Sequence, residues 1–130
     1  MPGEAAAPHL PHLPFLAPID RYGQGGFSFA DMSHRGSLLC LPSGIWAWPV
    51  AQASEITETT LAPVFAEPEA ITLFLIGHGN DAWAMPEGLW RCFRERNINV
   101  EVTRTGTAVA TYNILVGEGR RVAAGFIAVE

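Results

Sequence analysis

The chain has 130 residues, of which 48% are hydrophobic and 16% charged, so it has the length of one domain and too much apolar character for a disordered protein. Thirteen acidic residues against eight basic ones give a net charge of −5, which disfavours binding to the phosphate backbone of nucleic acids. Every basic residue is an arginine, which excludes a phosphate-loop lysine and a lysine Schiff base.

Residues 1–17 are expected to form a proline-rich disordered or extended tail. Four prolines between positions 2 and 14 interrupt any helix and no basic residue stands there, so the segment lacks the features of a signal or transit peptide. His9 and His12 lie on this tail, but ordering a flexible segment around a metal ion costs entropy, so no metal site is predicted. Residues 18–130 are expected to form a single domain.

The two cysteines predict a reducing compartment. Cys40 and Cys92 stand among apolar residues, and their spacing matches neither a redox motif nor a zinc site. Buried free thiols behave as small hydrophobic side chains, and we expect a cytoplasmic protein. The longest apolar run, residues 122–129, is shorter than the roughly 18 residues that cross a bilayer, so no direct membrane insertion is expected.

Residues 19–50 have the pattern of an antiparallel β-meander. Phe27 and Phe29 alternate with polar or small residues, and residues 37–41 form a short apolar run. A proline–serine–glycine turn then leads into a strand over residues 45–48.

Two tryptophans in this meander form a candidate protein-binding surface. Trp46 and Trp48 are two residues apart, so they point to the same side of a strand, and Pro49 disfavours a central position in a sheet. Two interpretations stay open. The pair packs in the core, or it is exposed beside an edge strand and binds another protein.

Beyond residue 50, strands and helices alternate. Strands separated by helices imply right-handed parallel crossovers and a sheet with helices on its faces, to which the meander adds strands or a ribbon. The predicted elements are a short helix near residues 61–65, a buried strand over 71–76, a helix over 86–96, a strand over 98–103, a helix that follows residues 105–107 and ends near 117–119, and a buried strand over 122–129.

The carboxyl ends of two predicted strands indicate a candidate ligand crevice. Ligands of such sheets bind beyond the carboxyl ends of parallel strands, and free N–H groups at a helix start hold anions. The alternative is that Thr105 or Thr107 merely caps the helix while the glycines turn the chain. The candidate residues are Gly77, His78, Gly79, Arg104, Thr105, Gly106 and Thr107.

The sequence motifs give little support for any particular enzyme reaction. Residues 77–82 match the dinucleotide-binding pattern Gly-x-Gly-x-x-Ala, with Glu101 at the place of a ribose-binding acid. That fingerprint needs a helix to open at the glycines, whereas Pro86 places the helix start later. His78 and Asp81 resemble a base with its orienting partner, or two metal ligands, but no nucleophile or third ligand stands near them. No catalytic residue, metal ligand or cofactor is predicted, and whether the protein is an enzyme stays open.

An ordered set of short motifs runs through residues 19–129. These motifs are Ile19-Asp20, Tyr22-Gly23, Gly25-Gly26-Phe27, Gly36-Ser37-Leu38-Leu39, Leu41-Pro42, Gly44, Trp48, Leu75-Ile76-Gly77, Gly79, Thr105-Gly106-Thr107-Ala108, Thr111-Tyr112-Asn113, Leu115 and residues 118–124. The set resembles the Mth938-domain family, above all in residues 105–124. That family includes small bacterial and archaeal proteins of unknown function and a mitochondrial assembly factor for respiratory complex I.

The resemblance implies a three-layer α/β fold with a central mixed sheet whose last strand runs antiparallel, to which the residues add the N-terminal antiparallel β-meander and helices on the sheet faces. It carries over no catalytic residue or cofactor. We therefore expect a non-enzymatic accessory or assembly protein that binds another protein, in membrane or respiratory complex biogenesis, through Trp46 and Trp48. The alternative is a small-molecule or anion-binding protein, or an enzyme, that uses the crevice. The sequence leaves the oligomeric state open.

Overall fold

Two sheets organise residues 11–130, the part of the chain that the computed structural model describes; the first ten residues of the predicted tail lie outside it. A three-stranded antiparallel sheet contains β1 (Arg21–Gly23), β2 (Gly26–Phe29) and β3 (Met32–Arg35). A five-stranded sheet contains β4 (Leu38–Leu41), β5 (Gly44–Ala47), β6 (Leu73–Gly77), β7 (Asn99–Thr103) and β8 (Val122–Phe126) in the order β5-β4-β8-β6-β7. The α-helices of this part are α1 (Ala62–Phe65), α2 (Glu87–Glu95) and α3 (Thr105–Gly117).

The large sheet is mixed, as predicted, but its last strand in the chain, β8, does not run antiparallel to all of its neighbours. β8 lies between β4 and β6, parallel to β6 and antiparallel to β4. β6 and β7 are also parallel, and β4 and β5 form an antiparallel hairpin. The expectation that the last strand runs antiparallel is therefore wrong for its pairing with β6. The physical reason is that α3 carries the chain back along the sheet, so β8 starts at the same end as β6 and β7.

Different layers cover the two faces of the large sheet. On one face α1 and α2 pack on the sheet, and the Phe74 and Phe93 rings stack with their centroids 5.5 Å apart. On the other face α3 and the small sheet form a second core, where Tyr112 meets Phe126 edge-on at 5.3 Å. All four rings are fully buried, and each such burial contributes about 1.5–3 kcal/mol. These layers confirm the predicted three-layer α/β fold.

Residues 11–17 are attached to the domain at two places, the first of which is the β5 edge of the large sheet. The His12 N–H donates to the Ile45 carbonyl at 2.7 Å, and the Ile45 N–H donates to the Leu13 carbonyl at 2.9 Å. Farther along, the Tyr112 hydroxyl donates to the Ala17 carbonyl at 2.8 Å. This part of the chain bends at residues 12, 14 and 15 and is attached to both a strand and a helix.

Candidate functional site

The loops after β6 and β7 meet, because these strands are neighbours in the sheet. The Thr105 hydroxyl accepts a hydrogen bond from the Gly79 N–H at 3.0 Å and donates one to the Ile127 carbonyl at 2.7 Å. The Thr105 N–H donates to the Gly79 carbonyl at 3.2 Å, and the Ile127 N–H donates to the Gly77 carbonyl at 2.8 Å. At this point of the crevice, the polar groups therefore satisfy one another.

Two glycines allow the helix start to lie close to its neighbours. A Cβ atom at Gly77 would lie 2.8 Å from the Thr105 Cα, and one at Gly106 would lie 2.5 Å from the Tyr22 hydroxyl. Thr105 is fully buried, whereas Arg104 and Thr107 are exposed at the rim. The structure thus brings the glycines and Thr105 together beneath the surface and leaves the basic side chain outside. Ligand binding by these residues stays a prediction.

His78 has a buried ring nitrogen that lacks a hydrogen-bond partner within residues 11–130. The residue is partly buried, and its Nδ1 atom is shielded from solvent without a hydrogen bond to any described residue. Its ring lies 6.4 Å from that of Trp83, beside a cavity of about 340 Å³. Asp81 is exposed and forms no hydrogen bond with His78 among residues 11–130. In the same range, no group of three side chains is arranged to hold a metal ion.

Trp46 and Trp48 line the same groove but differ in burial. Trp48 is 3% exposed, and its indole N–H donates to the Thr60 carbonyl at 2.9 Å. Its ring lies so close to Gly125 that a Cβ atom there would be 2.7 Å from two ring carbons. Trp46 is only partly buried, and its shielded indole N–H has no acceptor within the described chain. Trp48 is therefore mainly a core residue, and Trp46 is the member of the pair that a partner can reach.

The groove beside Trp46, here called the Trp46 groove, lies between β5 and α1 and has a volume of about 460 Å³. At its rim the Ser43 hydroxyl donates to a Glu67 carboxylate oxygen at 2.6 Å. Sequence reasoning missed the α1 side of the groove, because about twenty residues separate it from the tryptophans and no local pattern links them. The main apolar lining residues are Leu39, Leu41, Trp46, Trp48, Pro63 and Ala66.

The two free thiols differ in burial. Cys40 is fully buried, and burial raises the pKa of its thiol to about 12, so it stays protonated at neutral pH. Burial also raises the pKa of the adjacent Tyr112 hydroxyl. Cys92 is a partly buried free cysteine. Both thiols are unpaired, as the sequence predicted.

Comparison with sequence relatives identifies the family. A family model described as a protein of unknown function (DUF498/DUF598) matches residues 19–127. An uncharacterized protein of Rhodobacter capsulatus is 33% identical over 121 residues, which cover 93% of this chain and 92% of that protein. NADH dehydrogenase (ubiquinone) 1 alpha subcomplex assembly factor 3 of Mus musculus is 31% identical over 109 residues, which cover 84% of this chain. The matched region spans only 59% of the mouse protein.

Solved structures support the same assignment. A Bartonella henselae protein, named an outer membrane protein, has a TM-score of 0.88 and 44% identity over 92% of this chain and 100% of that chain. Among residues 11–130 of the present chain, no helix is long and apolar enough to span a membrane. A Mth938-like domain from Bordetella pertussis, with a TM-score of 0.76, 24% identity and coverage of 86% and 85%, has the same fold. The chain therefore belongs to the DUF498/DUF598 family, which confirms the resemblance to Mth938-like domains.

Proposed function

We propose that this chain is a non-enzymatic accessory protein that binds another protein during the biogenesis of a membrane or respiratory complex. The observation that carries the proposal is the Trp46 groove, an apolar surface beside a partly buried tryptophan. Support comes from the relatives named as complex assembly factors in mouse and human, which align over 109 residues. Those relatives are longer than this chain, so their assembly role enters here as a proposal.

The chemistry of the Trp46 groove suits an apolar segment of a partner protein. Tryptophan is enriched at binding hot spots because it combines a large apolar ring with one N–H donor. The shielded indole N–H of Trp46 lacks an acceptor within the described residues, and such a group costs about 1–3 kcal/mol. A subunit that has not yet joined its membrane complex exposes apolar surface of the kind the groove accepts.

The proposal assigns no cofactor, metal or nucleic acid to the protein. The net charge of −5 repels phosphate backbones, and the unpaired thiols of Cys40 and Cys92 agree with a reducing cytoplasm. We therefore place the interaction in the cytoplasm, with a protein as the partner.

Site-specific photo-crosslinking tests the proposal. A photoreactive amino acid at Ala47, an exposed residue on the groove, is expected to capture a membrane or respiratory complex subunit, whereas the same group at Ala110 on α3 is not. Binding of the purified subunit is then expected to weaken at least tenfold with Trp46→Ala. Trp48 is not substituted in this test, because truncating a buried tryptophan costs about 3–5 kcal/mol of stability. Equal capture at both positions, or unchanged binding by the Trp46 variant, refutes the proposal.

The unpartnered Nδ1 of His78 favours a second candidate function, the binding of a small molecule at the adjacent cavity of about 340 Å³. His78 lines this cavity, so a ligand there contacts the residue that carries the unpartnered atom. Native mass spectrometry of freshly purified protein is expected to show an added mass, which the His78→Ala variant loses. A bare polypeptide mass together with no thermal shift across a metabolite panel excludes this candidate.

A further inference from the structure

β7 leaves one side of its backbone open at the edge of the large sheet. The Asn99 N–H donates to the Thr72 carbonyl at 3.0 Å, and the Thr103 carbonyl accepts from the His78 N–H at 2.9 Å, so these residues direct their backbone toward β6. Backbone direction alternates along a strand, and Val100 and Val102 therefore direct their N–H and C=O groups outward. Within residues 11–130, no strand pairs with this outer side, whereas residues 12 and 13 pair with the opposite edge at β5.

An apolar groove accompanies this open backbone. It is shallow, with a volume of about 510 Å³, and the Val100 and Val102 side chains form part of it. Trp83 and Trp90 also line it, and both rings are partly buried against the core under α2. Strand addition needs backbone groups for hydrogen bonds and side-chain pockets for alternate residues, and β7 offers both.

The charged residue at the centre of β7 restricts which strand can pair with its open edge. Glu101 is exposed and lies between the two valines, so its side chain points to the other face of the sheet. An antiparallel pair of two copies that uses all four outward groups sets Val100 against Val102, and it sets Glu101 against its own counterpart. Like charges directly opposite each other destabilise a strand pair. A strand with a basic residue at that position is stabilised instead.

We propose that the β7 edge binds an extended segment of another protein by antiparallel strand addition, and that this segment has an apolar–basic–apolar triplet. The apolar residues pair with Val100 and Val102 and contact the tryptophan-lined groove, while the basic side chain faces Glu101 on the other side. This surface is distinct from the Trp46 groove, which lies at the opposite edge of the sheet. The proposal therefore adds a second point of attachment with its own specificity.

Amide NMR titration with three capped peptides tests the proposal. The probe is Thr-Thr-Val-Lys-Val-Thr-Thr, the charge control replaces its lysine with glutamate, and the backbone control carries N-methyl groups on both valines. The probe is expected to shift the Val100 and Val102 amide signals and to slow their hydrogen exchange. From the size of cross-strand charge pairs, the glutamate peptide should bind about three- to tenfold more weakly. The Glu101→Lys variant should reverse this preference, and the N-methylated peptide should not bind.

Several outcomes overturn the proposal. One is equal binding of the methylated and unmethylated peptides, and another is a peptide preference that Glu101→Lys leaves unchanged. Amide signal shifts centred away from β7 also refute the proposal. If sedimentation shows a dimer whose protected amides are those of Val100 and Val102, the β7 edge binds a second copy of this chain instead. The Trp46→Ala variant is expected to bind the probe normally, so this test and that of the Trp46 groove fail independently.

Discussion

Replacing Thr105 with valine tests whether the junction after β6 depends on one buried hydroxyl. Valine keeps the shape and β-branching of threonine but removes the acceptor for the Gly79 N–H and the donor to the Ile127 carbonyl. Thr105 is 0% exposed, so water does not replace the lost partners. Leaving a buried backbone group unpaired costs about 1–3 kcal/mol, and two such groups give an expected loss of about 2–6 kcal/mol. In a domain of this size, that loss lowers the melting temperature by about 7–22 °C.

The comparison with Thr105→Ser separates hydrogen bonding from packing. Serine keeps the hydroxyl and loses one methyl group, which costs about 1 kcal/mol. Urea denaturation of the three proteins is expected to rank Thr105→Val as the least stable, with Thr105→Ser close to the original protein. If valine is tolerated as well as serine, the Thr105 hydroxyl does not hold this junction together. The hydroxyl is then a candidate polar group for binding a ligand in the crevice.

Three further predictions follow from burial and titration. Gly125→Ala is expected to destabilise the protein by about 1–3 kcal/mol, because the new methyl overlaps the Trp48 ring; thermal denaturation measures this. At pH 8 a thiol reagent should modify Cys92 and spare Cys40, whose pKa burial raises to about 12, with both reacting in denaturant. Burial lowers the pKa of His34, and the charge of a neighbouring histidine lowers it further. The contribution of His34 to stability is therefore complete above its ordinary pKa of 6.5 and is lost as the pH falls below that value. Thermal melts across pH 5–7.5 measure this loss.

Controls accompany these predictions. Gly117→Ala, where a Cβ atom meets nothing within 4 Å, should not destabilise the protein. Fast modification of both thiols in folded protein contradicts the burial of Cys40. The His34→Gln variant should flatten the acid side of the stability profile, and an unchanged profile in that variant shows that other groups cause the loss.

The sequence predicted the individual elements better than their pairing. The continuous apolar run of residues 71–76 identified β6, and the helix predicted after residues 105–107 corresponds to α3, which begins at Thr105 itself. Periodicity reports which faces of an element are apolar, but the neighbours of a strand depend on contacts between distant residues. No local signal predicts the placement of β8 between β4 and β6, because its partners lie far away in the sequence. Ala124, for example, pairs with both Cys40 and Leu75.

The candidate site shows the same division. Two-residue spacing placed Trp46 and Trp48 on one groove, but the different burial of the two rings depends on remote residues. Trp48 is buried because Gly125 leaves room for its ring, across a separation of 77 residues. Likewise, the partners of the Thr105 hydroxyl are 26 and 22 residues away, so its hydrogen bonds were not predictable from a helix-cap motif.

Both candidate protein-binding surfaces lie on the same side of the large sheet, at its two flanks. On one face, α3 and the small sheet pack side by side and form a continuous core with the strands. On the other face, the helices are short, since α1 has four residues and α2 has nine. On that face, partly buried rings pack against the core, namely Trp46 at one flank and Trp83 and Trp90 at the other. A partner segment at either flank covers these rings, which is why recognition is expected there and not over α3.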